Sequence, residues 1–387
     1  MLSHAAQHSP YYREQEWASR LRAGTRIHFH DIPTTPGSLV KAETEKFFAS
    51  FVPPGDGRVH DKHTSGTSGE PLLVRKTDRH FQVNALENRR LEKGWGSDRH
   101  LRSVHVANPN AGSPIGKIEE EERPGGRRSW KFFTPDTSAA LDFLARTSAT
   151  WVVAFPSIML GVLEQRREIA QSLPLQLIST YSEVVSDELR QLVREIPDCK
   201  LMDTYGCIEA GLIALGCPDC GAYHPADRHL ILEILADDGR VAKPGEMGRV
   251  IVTPLFSRAM PFVRYETGDY AILAERNGCP RSPHAIARII GREKNLFKLP
   301  DGRKITPTLP STVALDLGFR QYKLIQTTLS DIELRYIPRS EGTELAPEVA
   351  QNIVDLYLSP GFKVSAVRVS DIPRSPGGKF LMHESLV

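Results

Sequence analysis

The apolar positions along the chain change their period twice. HFQVNALENRRLEKGW (80–95) spaces its apolar residues as an amphipathic helix does. WVVAFPS (151–157) reads as a buried strand, followed by the amphipathic stretch IMLGVLEQRREIAQSL (158–173). LQLISTYSEVVSDELRQLVREI (175–196) repeats the strand-then-helix order, and this alternation predicts an α/β architecture with mostly parallel strands. From about residue 229 the segments shorten to HLILEIL, DDGRV, GRVIVTPL and PFVRYETGDYAIL, which predict a β-rich subdomain. Beyond the Pro/Gly-rich LPDGRKITPTLP (299–310), strand-like KLIQTTL, IELRYI and VSAVRV surround a helix-like PEVAQNIVDLYL, the pattern of a small α+β C-terminal domain. Residues 1–60 read as helical and irregular, with Trp17, Leu21, Phe47, Phe48 and Phe51 set among charges, and EEEERPGGRR (119–128) reads as a charged solvent loop.

Composition narrows the function classes. A chain of 387 residues predicts two or three packed units with a core that needs no disulfide staples. With 49 Lys+Arg against 47 Asp+Glu the formal charge is +2, which argues against binding nucleic acid or an anionic membrane through bulk electrostatics. No run approaches the ~18–20 apolar residues that span a bilayer, and the opening MLSHAAQHSPYYREQEW lacks the basic and apolar regions of a signal peptide. Five cysteines make an odd count, so a reducing, cytoplasmic setting is expected.

The chemistry concentrates in short motifs. In Thr64-Ser65-Gly66-Thr67-Ser68-Gly69, small hydroxyl residues alternate with glycine, so successive backbone N–H groups can turn toward one anion while hydroxyls add donors. It is not the GxxxxGK[ST] of a P-loop. Taken alone it is equally an ordinary Ser/Gly surface loop. Four further motifs follow: Asp203-Thr204-Tyr205-Gly206-Cys207-Ile208-Glu209, Tyr265-Glu266-Thr267-Gly268-Asp269, Gly291-Arg292-Glu293-Lys294, and Pro373-Arg374-Ser375-Pro376-Gly377-Gly378-Lys379. In this order the five motifs resemble those of the adenylate-forming superfamily of acyl- and aryl-CoA synthetases, most closely its phenylacetate–CoA ligase-like branch, over residues 60 to 380.

The resemblance implies a role for each motif. The 64–69 loop would hold the β- and γ-phosphates of ATP. Tyr205 and Gly206 would lie near the adenine with Asp203 beside them, and Glu209 would ligate Mg²⁺, a hard cation that takes carboxylate oxygen. Asp269 would accept hydrogen bonds from the ribose hydroxyls, Arg292 would stand near the ribose, and Ser182 with Glu183 would form the adenine-side loop. Lys379 would be the catalytic lysine that bridges the substrate carboxylate and the α-phosphate, where a cation lowers the repulsion between two anions. Lys294 would be the hinge about which a C-terminal domain of residues 292–387 swings against an adenylation domain of residues 1–291, whose β-rich, zinc-binding part covers about 205–291.

Cys217-Pro-Asp-Cys220-Gly-Ala-Tyr-His224 has CPxCG spacing, which bends two thiolates toward one metal with His224 in reach. Relatives of this branch carry a further cysteine where Cys279 stands. A structural zinc site of Cys217, Cys220, Cys279 and His224 is therefore expected, with His229, His284 and Cys207 as alternative fourth ligands, and with unligated, reduced cysteines as the competing reading. Cys199 reads as plain packing. The resemblance implies ATP-dependent activation of a carboxylic acid, aryl or arylacetic, followed by transfer to coenzyme A. A carrier-protein thiol or an amine as acceptor, or a non-catalytic protein binding a nucleotide or acyl ligand, are the alternatives.

Overall fold

The computed structural model describes the chain except residues 65–70, 95–101, 108–113, 124–126, 166, 276–278, 280–284, 308, 310, 341–343 and 375–379. It divides into two compact units, each assembled from two separated stretches of chain: Met1–His100 with Leu201–Ile289, and Leu101–Lys200 with Ile290–Val387.

The first unit is built on antiparallel strands. Leu230–Leu235 pairs with Met247–Pro254, which pairs with Tyr265–Leu273, and Tyr223–Pro225 lies between Ile286–Arg292 and Gly211–Gly216. Gly211–Gly216 in turn pairs with Lys200–Cys207, with a register break at Tyr205/Gly206. A separate hairpin, Val59–His63 with Leu73–Thr77, leads into the helix Asp78–Gly94. The helix starts there because the Thr77 hydroxyl accepts the His80 N–H at 3.2 Å, satisfying one of the donors that a helix N-terminus leaves open.

Residues 1–60, which carry no chemistry legible in the sequence, supply core. Tyr12, 1% exposed, accepts the Val263 N–H at 2.9 Å and packs against Phe47 and Trp17. The guanidinium of Arg264 is buried between Glu233, which takes bonds of 2.9 and 3.0 Å, and the carbonyls of His30 and Ile32. DDGRV is not a strand: Asp238 and Gly239 (φ +87°) turn the chain, with Asp238 accepting the Arg240 N–H. Two-residue turns of this composition suit a positive φ better than an extended backbone.

The second unit holds a sheet in which Arg127–Phe133, Ser103–Ala107, Trp151–Ala154 and Leu177–Tyr181 run parallel, the α/β arrangement expected of the sequence. Ile118–Arg123 adds an antiparallel edge. The charged run expected to be a loop is therefore largely strand, because Glu119 faces Lys131 and Glu122 faces Arg128 across the ladder. Helices Thr137–Thr147 and Asp187–Arg194 begin at Asp136 and Ser186, whose side chains accept the first free N–H groups.

The same unit contains the smaller C-terminal domain. Its four-stranded sheet runs Lys363–Arg368, Asp331–Pro338, Phe319–Gln326, His383–Ser385, and the helix Pro347–Tyr357 packs on it around a separate core that includes Phe297, Leu324, Leu334, Val354 and Phe362.

Candidate active site

Two of the motifs meet in the first unit through a reciprocal pair of hydrogen bonds. Tyr205 donates to Asp269 Oδ2 at 2.8 Å, and Tyr265 donates to Glu209 Oε1 at 2.8 Å. Each motif thus contributes one tyrosine and one carboxylate, and all four side chains are buried. Burial, then the Asp269 charge, push the Tyr205 hydroxyl well above its ordinary range, so it stays a donor. Asp203 is held in the same way by Tyr223, at 2.7 Å. The Asp269 backbone is fixed by its own N–H donating to Thr267 Oγ1 at 3.1 Å.

The turn after Tyr205 is closely packed. A Cβ on Gly206 would stand 2.5 Å from the Gly211 carbonyl oxygen, so only glycine lets the two strands approach there. Asn84 of the Asp78–Gly94 helix accepts the Leu212 N–H at 2.7 Å and keys the helix to this turn. Beside it lies a group that sequence reasoning missed. Lys76, 5% exposed, donates to His80 Nε2 at 2.9 Å, and among the described residues no carboxylate comes within ion-pair distance of it. Burial lowers the lysine to about 8, against the attraction of Cys207 and Glu209. Burial and the neighbouring Lys76 lower His80 to about 3, which keeps it a neutral acceptor. The sequence carries little signal for it: Leu72-Leu73-Val74 is followed by Arg75-Lys76, a basic pair that reads as exposed.

Of the phosphate-loop residues, Thr64 is described and Ser65, Gly66, Thr67, Ser68 and Gly69 lie outside the described residues. Thr64 closes the base of the loop: its N–H donates to the Leu72 carbonyl at 3.0 Å and its hydroxyl accepts the Leu72 N–H at 2.9 Å. Lys379 also lies outside the described residues. Ser182, Glu183, Arg292 and Lys294 belong to the second unit, where Arg292 ends a strand and Lys294 sits in the short Glu293–Asn295 turn. Glu183 is engaged there by Ser157 and Phe380.

The cysteine motif closes into a cluster. The ligand atoms of Cys217, Cys220, His224 and Cys279 all lie within 4.8 Å of one another. Gly221 (φ +74°) turns the chain so that its N–H donates to the Cys217 carbonyl, forming the knuckle that brings Cys220 back. Burial and the adjacent thiols push the Cys220 thiol up to about 11, since three sulfurs do not share negative charge without a cation. Of the alternative ligands, Cys207 is outside the cluster and accepts the Ala210 N–H, His229 is outside it, and His284 lies outside the described residues.

The fold has counterparts in solved structures. A 2-hydroxyisobutyryl-CoA ligase, in the postadenylation state with its acyl-AMP, superposes with a TM-score of 0.72 over 99% of this chain and 86% of that one, at 18% identity. The chain has the fold of the adenylate-forming superfamily. Among curated relatives of this adenylate-forming fold, the phenylacetate-coenzyme A ligase of Pseudomonas putida is 22% identical over 329 residues, 79% of this chain and 71% of that protein. The phenylacetate-coenzyme A ligase of Thermus thermophilus is 27% identical over 183 residues, 40% of this chain and 41% of that protein. No protein-family model matches the chain. The resemblance read from the five motifs thus agrees with both the fold and the relatives.

Proposed function

We propose that the protein is an AMP-forming acid–CoA ligase, an assignment carried by the reciprocal tyrosine–carboxylate pairs that join the YGCIE and YETGD motifs inside an adenylate-forming fold. In the first step a substrate carboxylate oxygen attacks the α-phosphorus of ATP, the bond to the bridging oxygen breaks, and pyrophosphate leaves. In the second, the thiol sulfur of coenzyme A attacks the acyl carbonyl, its proton passes to solvent, and AMP leaves. An aryl or arylacetic acid is the favoured substrate, in line with the relatives' names. A carrier-protein thiol would serve the second step equally well.

The residue roles follow from how each group is held. Asp269, fixed by Tyr205 and through its own N–H by Thr267, would accept hydrogen bonds from the ribose hydroxyls. Glu209 is held at Oε1 by Tyr265, and Oε2 takes no hydrogen bond among the described residues, which suits a Mg²⁺ ligand. Mg²⁺ at that position would offset charge on the departing pyrophosphate. Thr64 and the 65–69 loop bind phosphate, Lys379 serves the first step, and residues 292–387 act as a domain hinged near Lys294. Cys217, Cys220, Cys279 and His224 form a three-sulfur, one-nitrogen set that fits structural zinc. The zinc would pin the knuckle beside the Tyr205 strand, and the protein works in the cytoplasm. Carboxylate-dependent ATP–pyrophosphate exchange across a panel of acids tests the reading. Exchange that requires one acid class and is abolished by Lys379→Ala supports it, and ATP binding without exchange for any acid overturns it.

A further inference from the structure

The second unit contains a set of contacts that the proposed reaction leaves without a role. The helix Pro156–Gln165 is tied at both ends to the C-terminal stretch of the chain. At its N-terminal end Glu183, with its side chain 6% exposed, uses both oxygens. Oε2 accepts the Ser157 N–H at 3.0 Å, and Oε1 accepts the Phe380 N–H at 2.8 Å. The Arg374 guanidinium stands 3.6 Å from Oε1 and donates to Ser157 Oγ at 2.8 Å. At the opposite end Glu164 accepts from Arg339 at 3.1 Å.

A carboxylate at a helix N-terminus is satisfied by the helix's own N–H groups. Glu183 instead divides its oxygens between the helix and a backbone N–H almost two hundred positions away. Ser182 before it takes a left-handed backbone (φ +69°), a conformation that serine adopts rarely and that turns the following side chain. Arg374 and Phe380 are the described residues on either side of 375–379, and Phe380 follows Lys379 directly in the sequence.

We infer that Glu183 is a positioning residue rather than a nucleotide contact: it fastens the chain on both sides of residues 375–379 to the Pro156–Gln165 helix, and acid activation requires this fastening while acyl transfer does not. The inference rests on the reading that Lys379 serves the first step alone. It predicts separable half-reactions in the full-length protein. Glu183→Gln keeps the size of the side chain but sets an amide donor against an N–H, and Arg374→Met removes the guanidinium and its bond to Ser157 Oγ while leaving the Glu183 carboxylate and the Ser157 N–H in place.

Both variants are expected to lose pyrophosphate exchange at least about tenfold, as misplacement of a reacting group does, while coenzyme A consumes pre-formed acyl-adenylate at the wild-type rate. Equal loss in both half-reactions, or loss in neither, overturns the inference. Backbone amide deuterium exchange gives a readout independent of activity. The Phe380 amide should be protected in the wild type and exchange faster in Glu183→Gln, and an unchanged rate there overturns the fastening itself. If the wild type shows no exchange with any acid, the proposed function fails and the amide measurement alone decides about Glu183.

Discussion

Lys76→Met should stabilise the protein near neutral pH. The ammonium is buried with a single hydrogen bond among the described residues, to His80, and a fall from the ordinary 10.5 to about 8 is worth about 3 kcal/mol at roughly 1.4 kcal/mol per pH unit. Methionine is unbranched, one atom shorter than lysine and uncharged, and replacing a buried ion that has no carboxylate partner among the described residues by an apolar side chain of similar shape removes its desolvation cost. His80 loses its donor, which costs about 1 kcal/mol, so a net gain of about 2 kcal/mol is expected. The sign with pH follows from proton counting. Between about 8 and 10.5 the unfolded chain holds a proton on Lys76 that the folded chain has released, so wild-type stability from this group rises with pH across that window. The variant lacks that rise. Equilibrium urea unfolding of both proteins at about pH 7 and about pH 10 should show the gain at the lower pH and most of it gone at the higher. A gain of equal size at both, or none at the lower, would refute the argument.

Other consequences are as specific. Glu233→Ala leaves the Arg264 guanidinium buried without its carboxylate and should cost about 3–5 kcal/mol in denaturant titration. Gly206→Ala places a methyl group against the Gly211 carbonyl and should lower the melting temperature by several degrees while disturbing the Glu209 turn. Cys220→Ser should reduce zinc from about one equivalent to a small fraction of that, measured by atomic emission on chelator-washed protein, with a lower melting temperature. Tyr205→Phe removes the hydrogen bond to Asp269 Oδ2 and should raise KM for ATP about three- to tenfold with little change in kcat, read from the exchange assay.

What could be read from the sequence depended on how local the cause was. Strand-then-helix alternation at 151–196 and the C-terminal α+β pattern are local and were legible. The edge strand Ile118–Arg123 was not, since its stability comes from opposite charges across a ladder rather than from apolar alternation. Motif order named Tyr205, Glu209 and Asp269. Their crossed pairing, with Tyr265 on Glu209, depends on a strand register between residues 56 and 64 positions apart, which no spacing rule carries. Residues 1–60 hid their role because Tyr12 binds Val263 some 250 positions away. The partners of Glu183 were hidden for the same reason.

The chain enters each unit twice, crossing at 100/101, 200/201 and 289/290. During synthesis from the N-terminus, the first hundred residues therefore wait through the whole of 101–200 before the strands that cover Tyr12 and Val74 emerge. The parallel sheet of 101–200 in turn waits for residues beyond 290. Apolar surface stays exposed for that interval, at about 5–20 residues per second, a matter of several seconds or more. Slowing translation within 201–289 should thus lower the soluble yield more than slowing it within the C-terminal domain, whose own core forms largely from contiguous sequence.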